Sequence, residues 1–234
     1  MSDVETLKRS IAVCMFDQYG TVVDMQGGLV AFATQFLQAK GWTGSPNSFV
    51  TWWRRTHFEN SMIDALLGRD HTSYRAIGEA AVAHVMDRAG ITYTDEDVRS
   101  LVAAIERLLP FPEVPPALDR LRSRYRLVVL SNGDPDMLET ARQYHRIAFD
   151  QVISVAAAGA FKPHHATYAK AAALAGVAPG NVLFVANHAF DCIGAKAAGM
   201  RTAFIDRRSR PFGKTHYAPD LIVRTMTHLA DILT

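Results

Sequence analysis

The chain has 234 residues, of which 49% are hydrophobic and 21% are charged, proportions typical of a globular protein with a packed core. Its 25 basic and 23 acidic side chains leave a formal net charge of only +2. Such a balance offers no basic surface of the kind that binds nucleic acid or an anionic membrane. We therefore expect the partner to be a small molecule.

Two further classes of protein are disfavoured by the sequence. The cysteines Cys14 and Cys192 lie far apart and show no CxxC spacing, which predicts neither a disulfide framework nor a zinc site. No apolar run reaches transmembrane length, and the first residues lack the basic-then-apolar order of a signal peptide. The expectation is a cytoplasmic protein without a membrane span.

The first predicted strand is the apolar run from Ile11 to Phe16. A continuous apolar run of this length is typical of a buried parallel strand. Residues 23–108 then show only helical spacing of apolar side chains, as in Leu29 to Leu37 and Ile77 to Val85. This block predicts an inserted helical cap. A group of prolines marks the return to the core, because proline resists helix continuation: Pro110, Pro112, Pro115 and Pro116.

Strands and helices alternate after the cap. Four more strands are predicted at Arg126 to Leu130, Val152 to Val155, Val182 to Ala186 and Thr202 to Ile205. Helices are predicted between them at Pro135 to Tyr144, Ala166 to Leu174 and Phe190 to Ala198. This order indicates an α/β fold, a parallel sheet with helices on both faces. The core would consist of residues 1–22 and 109–234.

Asp17 stands at the tip of the first predicted strand, followed by Gly20, which permits a tight turn, and by the hydroxyl of Thr21. In open parallel sheets the ligand site lies beyond the carboxyl ends of the strands, where Ser131 and His188 are also expected. An ionised aspartate there can act as a covalent nucleophile. It can equally cap the following turn, so both interpretations remain open at this point.

Four segments occur in a fixed order along the chain. They are Phe16-Asp17-Gln18-Tyr19-Gly20-Thr21-Val22-Val23-Asp24, Leu130-Ser131-Asn132-Gly133, Lys162-Pro163 and Val185-Ala186-Asn187-His188-Ala189-Phe190-Asp191. Together they resemble the haloacid dehalogenase superfamily, and more closely its 2-haloacid dehalogenase branch, over nearly the whole chain. The resemblance implies a Rossmann-like parallel sheet with an inserted helical cap.

The resemblance also implies catalytic roles. Asp17 would displace the leaving group from C2 of a small 2-substituted carboxylic acid and form an ester, which water then cleaves at the aspartate carboxyl carbon. Lys162 would hold Asp17 ionised and stabilise charge at the ester oxygen, and Asp191 would position or activate the water. Hydrogen bonds to the substrate carboxylate and the nucleophile would come from Thr21, Ser131 and Asn132.

Other residues are assigned to the substrate by the same resemblance. Arg54, in Trp53-Arg54-Arg55 of the cap, would receive the departing halide, although most helical arginines are simply solvated. Tyr19 and Tyr168 match tyrosines near the substrate, or pack in the core with satisfied hydroxyls. The resemblance also implies that Asn187 is one of the substrate-binding residues.

Two positions depart from the superfamily patterns. Related phosphatases carry a second aspartate two positions after the nucleophile, but this chain has Tyr19 and offers few hard oxygen ligands for magnesium. We therefore expect a reaction without a metal or other cofactor. Ala186 and His188 stand where many 2-haloacid dehalogenases have serine and asparagine, and a histidine can transfer protons near neutral pH.

Several functions remain to be compared. The leading hypothesis is hydrolysis of a 2-haloalkanoate to the 2-hydroxy acid, and the alternative with the same first step is ring opening of L-azetidine-2-carboxylate. A magnesium-dependent phosphatase is disfavoured by Tyr19, and a binding protein without activity would leave the matched acids and lysine without a role. By resemblance alone, we expect a homodimer.

Overall fold

A computed structural model describes residues 3–68 and 70–234. The strands are β1 Val13–Phe16, β2 Arg126–Ser131, β3 Gln151–Ser154, β4 Val182–Ala186, β5 Arg201–Ile205 and β6 Leu221–Val223. The α helices are α1 Asp3–Ser10, α2 Met25–Ala39, α3 Pro46–Leu67, α4 Tyr74–Ala89, α5 Asp95–Ala103, α6 Val114–Arg122, α7 Pro135–His145, α8 His165–Leu174, α9 Ala189–Ala197 and α10 Met226–Leu233.

The strands form one sheet in the order β3-β2-β1-β4-β5-β6, and every neighbouring pair is parallel. The predicted α/β class and parallel sheet are therefore confirmed. β6 was not predicted, because it is only three residues long and its central Ile222 is exposed, so it carries no readable period. Helices α1, α6 and α10 were also not predicted.

The position of β1 explains why its carboxyl end is a site. β1 is flanked by β2 and β4, and Phe16 pairs in register with Val129 and Val185. Strands β2 and β3 lie on one side of β1, and the chain then crosses from β3 to β4 on the other side of β1. A crevice opens beyond the end of β1 at this change of direction. All four residues of β1 are buried, which fixes the residue that follows the strand.

Helices α2 to α5 lie between β1 and β2, and no described residue among them belongs to the sheet. The two crossings between this helical segment and the sheet run side by side. Asp24 donates its backbone N–H to the Leu109 carbonyl at 2.9 Å, and Phe111 donates to the Val22 carbonyl at 3.1 Å. These contacts lie at the ends of the predicted 23–108 cap, and that division stays a prediction.

A carboxylate of the core holds the first turn of α4. Asp134, which follows β2 and is buried, accepts the backbone N–H of Tyr74 at 2.8 Å and that of Arg75 at 2.9 Å. These are N–H groups that a helix leaves without an internal partner. The Arg75 side chain adds an ion pair with Asp136 at 2.8 Å. The helical segment is thus tied to the core at a second place.

Among the helices of residues 3–68 and 70–234, none combines the length and apolar character that a membrane crossing requires.

Candidate active site

Asp17 follows β1 directly and begins a tight turn. Its backbone N–H donates to the Val185 carbonyl at 3.0 Å, and the turn closes with Gly20 donating to Val23 at 2.9 Å. Gly20 has a φ of +87°, which a residue with a side chain adopts only with strain. Asp17 is 7% exposed, and its side-chain Oδ2 accepts the Thr21 hydroxyl at 2.7 Å.

Lys162 joins two carboxylates. Its Nζ lies 3.1 Å from Oδ1 of Asp17 and 2.9 Å from Oδ2 of Asp191, and the residue is only 1% exposed. Burial works against the charged amine, but the two carboxylates outweigh it, and the pKa of Lys162 is raised. The lysine is therefore a fixed cation between two acids. Its backbone N–H donates to Oδ1 of Asn132 at 3.1 Å.

The ionisation of Asp17 follows from its neighbours. Burial alone would raise the pKa of this carboxyl, but the positive charge of Lys162, with smaller contributions from His188 and Thr21, holds the pKa below its ordinary value. Asp17 is therefore a carboxylate at neutral pH. It meets the electronic requirement for a nucleophile.

Asp191, near the start of α9, lies behind Lys162 and is fully buried. The hydroxyl of Tyr168 donates to its Oδ1 at 2.6 Å, while Lys162 occupies Oδ2. Burial, and then the charge of Asp17, raise the pKa of Asp191. Gly194 makes this contact possible, because a Cβ there would lie 2.7 Å from the Tyr168 ring.

A cavity of about 480 Å³ opens beside Asp17, between the sheet and the helical segment. Six of the predicted site residues line it: Asp17, Tyr19, Arg54, Asn132, Lys162 and His188. The remaining predicted residues are not part of its lining: Thr21, Ser131, Tyr168, Asn187 and Asp191. The sequence thus predicted a group of neighbours, but not which of them face the cavity.

The residues behind the cavity support the nucleophile. Thr21 accepts the backbone N–H of Asn187 at 2.9 Å and donates to Asp17. The Asn187 amide donates to the Ile205 carbonyl at 2.7 Å, and the fully buried Ser131 accepts from the N–H of Gly133 at 3.3 Å. Direct contact of Thr21, Ser131, Tyr168 or Asn187 with a substrate stays a prediction, since the structure shows them holding other protein groups.

The cavity wall opposite the sheet carries Arg54 of α3. Its Nη1 donates to Oε1 of Gln26 at 2.6 Å, and its buried Nε has no hydrogen-bond partner among the described residues. Burial, and then the positive charge of Arg208, lower the pKa of Arg54 to about 10. The guanidinium is still charged at neutral pH, and its environment favours an added anion.

His188 stands between Asp17 and Arg208. Its Nδ1 lies 3.6 Å from Oδ2 of Asp17, and its Nε2 lies 3.4 Å from Nη2 of Arg208. Arginine can only donate, so Nε2 of a neutral His188 accepts from Arg208, and Nδ1 carries the proton that faces Asp17.

Sequence reasoning missed Arg208 and Arg210, which also line the cavity. They belong to the run Asp206-Arg207-Arg208-Ser209-Arg210, which follows β5 directly. The available signal was three arginines within four residues at the carboxyl end of a predicted strand, the edge where ligands bind.

The phosphatases of the resembled superfamily bind magnesium, but the side chains around Asp17 do not provide the oxygen ligands that this ion requires. Its two carboxylate oxygens already hold the Lys162 ammonium and the Thr21 hydroxyl, and Tyr19 and His188 stand where hard oxygen ligands are needed. Within residues 3–68 and 70–234, no group of three or more histidine, cysteine or acidic side chains could hold a metal. No step is therefore assigned to a metal.

The buried aspartate at the end of a central parallel strand, the buried lysine paired with it and the helical cover agree with the family comparison. The model of the haloacid dehalogenase-like hydrolase family matches residues 11–199, and the chain belongs to this family of enzymes.

The individual relatives have more narrowly described activities than the family as a whole. The (S)-2-haloacid dehalogenase of Xanthobacter autotrophicus is 35% identical over 202 residues, which cover 86% of this chain and 77% of that protein. Haloacetate dehalogenase H-2 of Moraxella sp. (strain B) is 27% identical over 96% of this chain and 99% of its own length. Among solved structures, the L-2-haloacid dehalogenase from Xanthobacter autotrophicus with chloropropionic acid covalently bound has a TM-score of 0.85 at 29% identity, covering 95% of this chain and 98% of that chain.

Proposed function

We propose that this enzyme hydrolyses 2-haloalkanoates to 2-hydroxy acids, with Asp17 as the covalent nucleophile. The observation that carries the proposal is the ionised Asp17, paired with buried Lys162, at the floor of a cavity whose opposite wall presents Arg54. An oxygen of Asp17 would attack C2 from the side opposite the halogen, and the halide would leave with the bonding electrons. A relative with chloropropionic acid covalently bound supports a covalent route.

Arg54 is the group proposed to stabilise the departing halide. It lies across the cavity from the sheet, it is largely buried, and no described carboxylate pairs with it. A halide gains its full charge only as the carbon–halogen bond breaks, so a fixed guanidinium there lowers the barrier more than it strengthens ground-state binding. A single backside displacement inverts C2.

The second step requires a base that activates water toward the ester carbonyl. Asp191 has a hydrogen-bond donor on each oxygen and is fully buried behind Lys162. His188 lines the cavity, 3.6 Å from the carboxylate that water must attack. We therefore assign the base to His188. Once Asp17 is an uncharged ester it no longer attracts the Nδ1 proton, and with the ring proton on Nε2 the Nδ1 atom can accept a proton from water. We assign to Asp191 and Tyr168 the positioning of Lys162.

Replacing His188 with glutamine should trap the enzyme after its first step. We expect one halide per active site to be released quickly, followed by turnover at least about 10²-fold slower than in the wild type, since a general base contributes roughly that factor or more. Intact-protein mass spectrometry should show the added carboxyalkyl group, which is the substrate without its halogen. His216→Gln, at an exposed loop histidine, is the matched control. Unmodified protein with a normal steady-state rate would return the role to Asp191.

Ring opening of L-azetidine-2-carboxylate shares the first step. Tyr19 lines the cavity, and its buried hydroxyl has no hydrogen-bond partner within the described ranges, so it could serve the departing amine. Against this, the ring nitrogen is protonated at neutral pH, and the cavity already contains Arg54, Arg208 and Arg210. Repulsion between the protonated ring and these arginines therefore favours a 2-haloalkanoate over the azetidine as the substrate.

The deciding experiment is a metal-free panel at neutral pH. It contains L- and D-2-chloropropionate, chloroacetate, fluoroacetate, L-azetidine-2-carboxylate and a generic phosphate ester, the last also with magnesium. We expect halide and the hydroxy acid of inverted configuration from L-2-chloropropionate. Ring opening without halide release would move the function to the azetidine, and magnesium-dependent phosphate release would contradict both.

A homodimer is proposed as well. The last turns of α3 expose three large apolar side chains, Ile63, Leu66 and Leu67, with Leu66 82% exposed. Neighbouring apolar side chains of this size on a helix are typical of a protein contact surface.

A further inference from the structure

The cavity contains more positive charge than the reaction proposed above uses. Lys162 is matched by two carboxylates, and Arg55 by Glu59 at 2.7 Å. In contrast, Arg54, Arg208 and Arg210 all line the cavity, and no carboxylate among residues 3–68 and 70–234 forms an ion pair with any of them.

These three guanidinium groups act on one another. The charge of Arg208 contributes to the lowered pKa of Arg54, and Arg210 contributes to the lowered pKa of Arg208. Arg54 is largely buried, whereas Arg208 and Arg210 are exposed beside the same cavity. An anion bound between the two exposed arginines would reduce the repulsion among all three cations. A monocarboxylic substrate brings one carboxylate, and its halide becomes an anion only in the transition state. With Arg54 assigned to the halide, Arg208 and Arg210 meet only one resting anion, so one positive charge is left unmatched.

The distances define where a second anion would lie. Oδ2 of Asp17 is 3.6 Å from Nδ1 of His188, and Nε2 on the far side of that ring is 3.4 Å from Nη2 of Arg208. Arg208 is thus one imidazole ring away from the nucleophile. A carboxylate two or three bonds from C2 spans that separation, and a cavity of about 480 Å³ has room for it.

We propose that Arg208 and Arg210 form a subsite for the second carboxylate of a short 2-halodicarboxylate, with four or five carbons. The inference rests on the dehalogenase function proposed above. In the reaction, the Asp17 oxygen–C2 bond forms as the carbon–halogen bond breaks, and the halide leaves with the electron pair. Water then cleaves the ester, which yields the 2-hydroxydicarboxylate, the halide and one proton, and restores Asp17.

The subsite also bears on His188. A carboxylate bound by Arg208 would draw its guanidinium away from Nε2, and that nitrogen could then carry the ring proton. Nδ1 would become the acceptor on the side that faces Asp17. The bound dicarboxylate would therefore favour the ring tautomer that the second step uses, which with a monoacid forms only after Asp17 has become an uncharged ester.

The test compares chloride release from (S)-2-chlorosuccinate, (S)-2-chloroglutarate and (S)-2-chloropropionate. We expect the wild type to favour a diacid over the monoacid at least about tenfold in kcat/KM, since a hydrogen bond to a charged group contributes roughly that factor. Arg210→Gln should remove the preference while leaving kcat/KM for 2-chloropropionate within about threefold, an allowance for context. Arg208→Gln also changes the surroundings of His188 and Arg54, so it should lower kcat/KM for the diacids at least about tenfold more than for 2-chloropropionate. Lys214→Gln removes a charge from the same loop outside the cavity lining and should change neither.

Each other outcome contradicts the proposal. An equal loss with all three acids in Arg208→Gln would mean that Arg208 holds the carboxylate next to C2. Turnover of 2-chloropropionate without preference for a diacid would overturn the subsite and leave the dehalogenase function standing. If no acid releases chloride, the proposed function fails. Calorimetric titration of succinate and propionate then tests the subsite without turnover, and equal affinity in wild type and Arg208→Gln would overturn it.

Discussion

Asp17→Asn is expected to abolish halide release, with a loss of at least about 10⁴-fold in kcat, the scale on which removal of a covalent nucleophile acts. The amide is neutral and far less nucleophilic than the carboxylate. Halide release under saturating L-2-chloropropionate is the measurement. Asp24→Asn makes the same chemical change at the next acid along the chain, where the side chain accepts only the N–H of Gly27, and should retain activity.

Isotope labelling sharpens this prediction. A single turnover in ¹⁸O water should place the label in the Asp17 carboxyl group and leave the hydroxy acid unlabelled, because water attacks the ester at the aspartate carbon. Peptide mass spectrometry across residues 13–24 locates it. Label in the product after one turnover would show that water attacks C2 directly, and activity in Asp17→Asn would show the same.

Lys162→Met should lower kcat/KM at least about 10²-fold, since it removes a fixed charge at the reacting group. The pH profile should change as well. With Lys162 present, the pKa of Asp17 is below its ordinary value; without it, burial is largely unopposed and raises that pKa. Only the ionised carboxylate reacts, so the acidic limb of kcat/KM should move to higher pH in the variant.

Two further variants separate charge from folding. Lys162→Arg keeps the cation and should retain an acidic limb closer to that of the wild type, even where its different shape lowers kcat. Lys170→Met, at an exposed position of α8, should behave like the wild type. A folded Lys162→Met enzyme with an unchanged rate and profile would make Lys162 a purely structural residue.

The sheet was predictable from sequence because its strands are buried on both faces. Val182–Ala186 was predicted with the observed bounds, and Arg126 to Leu130 lacked only the last residue of β2. Continuous apolar runs that end in turn residues carry this signal strongly. The pattern fails for Leu221–Val223, an edge strand with too few residues and too little burial.

The sequence allowed us to predict which residues lie near one another at the candidate site, but not which of their side chains face the cavity. Motif order predicted that Asp17, Lys162 and Asp191 lie near one another, because each follows a strand of the parallel sheet and the carboxyl ends of these strands lie at one edge. Whether a side chain faces the cavity depends on contacts between distant elements, such as Tyr168 packing over Gly194 to reach Asp191. No local pattern encodes such contacts. Arg208 and Arg210 were overlooked because their position beside Arg54 of α3, in one cavity, depends on contacts between segments that are distant in sequence.

The bond between Asp134 and the first turn of α4 bears on the free energy of ligand capture. If the helical cover were lifted, the N–H groups of Tyr74 and Arg75 would exchange the Asp134 carboxylate for water, and a hydrogen bond to a charged group contributes about 1.5–3 kcal/mol net. The closed arrangement is thus favoured before any substrate arrives. When most molecules are already in the conformation that binds the substrate, the apparent affinity is not lowered by a small fraction of binding-competent molecules. The measured affinity for a substrate should then equal the intrinsic affinity of the pocket.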